Sequence, residues 1–112
     1  MTWDLLLLRI PPEIETAEDL SEDAVIPLGA PSDVRANIQR ALPQTQFGDE
    51  TTGRLATTEY SIQLSLGDAD PVRGVLLLIS GETARATSAV ASLCAATGWR
   101  AFDMNTEEFV AL

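Results

Sequence analysis

The sequence predicts an α+β two-layer sandwich, a mixed β-sheet of about five strands with two helices on one face, in the order β-α-β-β-β-α-β. Three patterns carry the prediction. Residues 3–10 and 75–79 are apolar at odd and even positions alike, as in strands covered on both faces. Residues 60–66 alternate Tyr, Ile, Leu, Leu with Ser, Gln, Ser, which makes a strand with one apolar face and one polar, uncharged face. Residues 31–42 and 81–97 repeat their apolar positions at helical spacing. At 112 residues and 12.0 kDa the chain suits a single domain over 1–112 that buries roughly two-thirds of its unfolded surface.

Taken in order, the first strand runs over 3–10 and stops at Pro11 and Pro12. An acidic loop follows over 11–28, carrying Glu13, Glu15, Glu18, Asp19, Glu22 and Asp23 with no basic residue. Loops of that length are commonly functional or disordered. Val34, Ile38, Ala41 and Leu42 line the first helix, which has Pro31 in its first turn, Asp33 near its positive end and Pro43 as its stop. Two strands at 54–58 and 60–66, a turn at 67–71 and a strand at 75–79 form a meander. Ala86, Val90, Leu93, Cys94 and Thr97 share one stripe of the second helix, with Gly98 as its left-handed cap. A last strand at 99–104 leads to a brief terminal helix capped by Asn105 or Thr106, with Glu107 and Glu108 in its first turn. If the strands flanking the second helix are parallel neighbours, their connection is a right-handed crossover.

Two helices cover only one face of such a sheet, so the other apolar face needs a cover. The acidic loop with Val25, Ile26 and Leu28, a second copy of the chain, or a different protein would each supply one.

Composition narrows the chemistry. The chain contains seven Arg, seventeen Asp plus Glu, no Lys and no His, for a net charge of −10 and a pI near 4.1. Imidazole bases, Schiff-base amines and the lysine of phosphate loops are therefore excluded. The charge opposes phosphate backbones, so nucleic acid is not an expected partner, while it favours fast, salt-sensitive encounter with basic proteins. Asp4 stands where a secretory signal carries positive charge, and the apolar runs fall far short of the about 20 residues of a membrane-spanning helix, so a cytoplasmic protein without membrane contact is expected. Cys94 lacks a Cys or His companion, so neither a disulfide, a metal site nor a cofactor is expected. On the apolar stripe near a helix C-terminus, it reads as an inert hydrophobe.

Asp68 and Asp70 share a turn with Arg73, but Val72 and Arg73 stand where a calcium loop of the EF-hand kind needs an oxygen ligand and Gly. Trp3, Tyr60, Trp99 and Phe102 read first as core and rim packing, or alternatively as a binding face in which Tyr60 and a Trp are anchors flanked by Ser61, Gln63 and Ser65.

The motifs Trp3-Asp4-Leu5-Leu6, Pro11-Pro12-Glu13, Pro27-Leu28-Gly29, Tyr60-Ser61-Ile62, Leu66-Gly67-Asp68, Asp70-Pro71-Val72-Arg73 and Gly98-Trp99-Arg100-Ala101, with Asp103, Thr106, Glu108 and Phe109, follow one another along nearly the whole chain. In these motifs the chain resembles a family of small acidic bacterial proteins of uncharacterised activity. In size and charge it is similar to immunity proteins that neutralise toxins. The expected function is accordingly a non-enzymatic, protein-binding one: occlusion of a cognate toxin's basic active site. Glu13, Glu15, Glu18, Asp19, Glu22, Asp23, Asp68 and Asp70 would supply acidic contacts, and Tyr60, Gln63 and Trp99 would supply area. The alternative is a secretion chaperone or adaptor that holds an extended partner segment. A homodimer and a carboxylate enzyme built on Asp68 and Asp70 are further possibilities.

Overall fold

The computed structural model describes residues 2–11, 13–14, 25–68 and 70–110. The elements are β1 (Thr2–Leu8), α1 (Pro31–Ala41), β2 (Gln46–Phe47), β3 (Thr52–Ala56), β4 (Tyr60–Ser65), β5 (Val75–Gly81), α2 (Thr83–Thr97), β6 (Arg100–Asp103) and β7 (Glu108–Phe109). The strands form one sheet in the order β2-β3-β4-β5-β1-β6-β7.

The chain is α+β with two helices, but the sheet has seven strands rather than about five, and it is antiparallel throughout rather than mixed. Insertion of β1 explains the second difference. The strands joined by α2, β5 and β6, run the same way but flank β1, so each meets an antiparallel neighbour. In the same way β5 separates β1 from β4. With β2 and β3 set aside, these are two interleaved split β-α-β units. The expected terminal helix is instead a turn over 104–107, with Glu107 at φ 58°, that returns the chain as β7 beside β6.

Alternation decides which side chains meet the helices. Leu64, Leu77 and Leu5 lie in register across three strands, next to a row of Ile62, Ile79 and Trp3. Val34 and Ile38 of α1 and Ala86, Val90 and Leu93 of α2 complete one core with them. Leu5, Leu7, Leu77, Ile79 and Ile38 are at most 1% exposed; each such side chain contributes roughly 1.5–3 kcal/mol relative to an exposed one. Pro31, Asp33 in the first turn and Arg40 in the last suit the ends of α1. At the end of α2, Gly98 at φ 79° donates its N–H to the Cys94 carbonyl at 2.7 Å. Among the described residues no helix is long and apolar enough to cross a membrane.

Candidate functional site: the sheet face opposite the helices

Residues that alternate with the core positions point away from both helices. Registers place them in four rows: Thr2, Ser80 and Ser61; Asp4, Leu78, Gln63, Arg54 and Gln46; Phe102, Leu6, Leu76, Ser65 and Thr52; and Leu8 with Arg100, where Leu8 is only 6% exposed. Leu6, Leu76, Leu78 and Phe102 are half-buried, whereas Gln63 and Arg54 are exposed. The face is thus apolar where Leu6, Leu76, Leu78 and Phe102 meet and hydrogen-bonding along the Thr2, Ser80 and Ser61 row and over β4 and β3.

A cleft of about 540 Å³ occupies the polar half, floored by Thr2, Ser61, Gln63, Leu78 and Ser80 and walled by Gln46, Asp49 and Arg54. Asp49 sets the shape of this wall. Its Oδ1 accepts hydrogen bonds from the Thr51 and Thr52 N–H groups at 2.8 Å each and from the Thr51 hydroxyl at 3.1 Å. The Thr51 N–H, then the Thr52 N–H and the Thr51 hydroxyl, hold this carboxyl below the usual range.

Asp4 differs. Its Oδ1 is buried and has no hydrogen-bond partner among the described residues. Arg54, in the same row, lies three strand spacings away, roughly 14 Å at sheet geometry, too far to pair with it. On the opposite, helix-side face, Asp103 is satisfied: the Trp3 indole donates to its Oδ2 at 2.8 Å and the Asn105 N–H to its Oδ1 at 2.8 Å. The Trp3 bond is the main reason its carboxyl titrates below the usual range.

At the end of the sheet where β1 stops, Arg100 holds the root of the acidic segment. Its guanidinium donates to the Pro11 carbonyl at 3.1 Å and to the Ile14 carbonyl, and lies 4.2 Å from the ring centroid of Phe109. Phe109 in turn meets Phe102 edge to face at 5.4 Å. The far root is held by a bridge of Ile26 to Arg9 and of Gly29 to Val72. Leu28 is buried in the helix-side core beside Val72 and Ile26 is 44% exposed, while residues 15–24 of the segment expected to cover the second face lie outside the described residues.

The proposed contact residues therefore separate. Glu13, Asp68 and Asp70 are exposed, and the Gly29–Val72 bridge ties the turn of the two aspartates to the end of the sheet where the acidic segment is rooted. Glu15, Glu18, Asp19, Glu22 and Asp23 lie outside the described residues. Gln63 is on the open face, but Tyr60 is not its neighbour there. An even-numbered β4 position, Tyr60 points to the helix side with Ile62 and Leu64, against the core and beside Leu42 and Pro43. Trp99 is only 2% exposed and packs in the core, so it offers no area to a partner. Sequence reasoning missed Asp4, Arg54, Thr2 and Ser80 as parts of one face; the parity of β1, β3 and β5 was the available signal.

Cys94 is half-buried, and burial pushes its thiol up to about 11. Among the described residues no group of three His, Cys, Asp or Glu side chains could hold a metal. Compared with known protein families, curated proteins and solved structures, the chain matches none.

Proposed function

We propose that the chain is a non-enzymatic protein-binding domain, an immunity protein that lays the sheet face opposite its helices and the neighbouring acidic end over the basic active site of a cognate toxin domain. The observation that carries this reading is the open face itself: half-buried Leu6, Leu76, Leu78 and Phe102 lie beside exposed Gln63 on a chain of net charge −10. Apolar area with a polar border is the usual anatomy of an interface, and the charge suits a basic partner. Membership of the family of small acidic bacterial proteins belongs to the same proposal.

The chaperone or adaptor reading draws on the same apolar residues, but its strand-addition form fits poorly. Both outermost strands, β2 and β7, are two residues long, and short edges offer little ladder to a partner strand.

The test is affinity capture from a lysate of the source cells, with elution by rising salt and identification of the bound protein. A basic toxin domain that elutes with salt, binds more weakly to Gln63→Arg and Glu13→Arg variants, and loses activity in the complex is the expected result. Salt-insensitive retention of an unfolded or extended segment, with toxin activity untouched, transfers the reading to the chaperone.

A further inference from the structure

We propose that Asp4 is the recognition point for an arginine side chain of the protein partner, with the guanidinium at the carboxylate and its stem across Leu6 and Leu78. The inference rests on the reading of the open face as a partner surface and adds the residue and partner chemistry that give it specificity.

Position comes first. Asp4 is on the face opposite the helices in a central strand, directly opposite Leu78 and two residues from Leu6 along β1. A carboxylate among half-buried leucines is poorly hydrated, and hydrogen bonds from the protein normally compensate for such a loss. Here they are missing: Oδ1 is buried and unpartnered among the described residues. Other anions nearby are differently placed, since Asp49 and Asp103 already accept hydrogen bonds from their own loops.

Among the described residues no arginine forms an ion pair with Asp4: Arg100 is engaged by Pro11, Ile14 and Phe109, Arg9 donates to the Pro27 carbonyl, Arg85 pairs with Glu59, and Arg54 is at the far side of the cleft. A carboxylate with leucines on one side and no hydrogen bond to its buried oxygen costs stability in the free protein and becomes favourable when a partner cation arrives and water is excluded. Arginine fits better than lysine because its guanidinium is planar and weakly hydrated and can reach the carboxylate oxygen that is not buried, while its stem packs on leucine. Charge complementarity and apolar surroundings together make this the geometry of an interface hot spot.

The test selects binders from a displayed library of short random peptides on the immobilised protein, then measures the best synthetic peptide by calorimetry against wild type and Asp4→Asn. Expected are peptides with an arginine beside apolar residues, at least tenfold weaker binding to Asp4→Asn, and a free variant that melts no lower than wild type. Arginine-bearing peptides that bind Asp4→Asn as tightly, yet lose affinity to a Glu13→Arg or Asp68→Arg variant, overturn the role of Asp4 and leave the proposed function standing. Selection of peptides without a basic residue, or of none, overturns both.

Discussion

Gly81 holds the register on which the open face depends, and replacing it with alanine tests that dependence. It pairs with Tyr60 at the end of β5, so it fixes Ser80 opposite Ser61 and Leu78 opposite Gln63. Its φ is +94°, and a Cβ built there would lie 2.5 Å from the Glu59 carbonyl oxygen and 2.9 Å from the Tyr60 Cα. Both obstacles are backbone, and that same Glu59 oxygen accepts the Glu82 N–H at 2.9 Å as the chain turns into α2. Left-handed backbone costs an alanine about 1–2 kcal/mol, and a clash that forces backbone movement adds about 1–3 kcal/mol.

Gly98 supplies the control, since its φ is +79° but nothing lies within 4 Å of its Cβ position. Chemical denaturation should therefore show Gly98→Ala costing about 1 kcal/mol and Gly81→Ala about 3–4 kcal/mol. For a chain of this size each kcal/mol lowers Tm by about 4 °C. Equal losses in the two variants would refute the close approach of β4 and β5 at this point.

Three further outcomes are expected. Trp3→Phe removes the donor that lowers the Asp103 pKa. Because the folded carboxyl is depressed, its contribution is present above the unfolded pKa of about 3.9 and is lost as pH falls through the folded value; urea titrations should show the gap between variant and wild type, about 1 kcal/mol at pH 7, narrowing on acidification. Arg100→Ala removes the Nη1 group that donates to both the Pro11 and Ile14 carbonyls, so cleavage after Glu13 by a glutamate-specific protease, followed by mass spectrometry, should accelerate about tenfold. Cys94, with its thiol raised from 9.0 to about 11, should react with a thiol reagent about a hundredfold more slowly in the native protein than after unfolding.

Elements with a period of their own were legible in the sequence. Pro31 and Pro43 bracket α1, Gly98 closes α2, and the apolar runs around Leu5–Leu8 and Val75–Ile79 are the central strands. Elements that exist only through tertiary pairing were not. Gln46 and Phe47 form a strand because Phe47 seats its ring where a Cβ on Gly53 would stand, 2.8 Å away, and two residues carry no periodic signal. Phe109 joins the sheet through Phe102 and Arg100 rather than through the helical propensity of its neighbours. Parity within β4 was evident, but the side that receives the helices was not, which is why Tyr60 was grouped with Gln63. Asp4 read as one more strand residue, since an unpartnered carboxylate shows itself only once the rows beside it are known.

The grip of Arg100 on the chain at Pro11 and Ile14 is made through main-chain carbonyl oxygens. Every residue has such an oxygen, so the fastening is indifferent to which side chains the segment carries. Attachment of the segment's root therefore places no demand on side-chain identity. Substitutions among the acids that follow Ile14 leave the tether of their root to the sheet as it is, whatever they do to the partner binding proposed above.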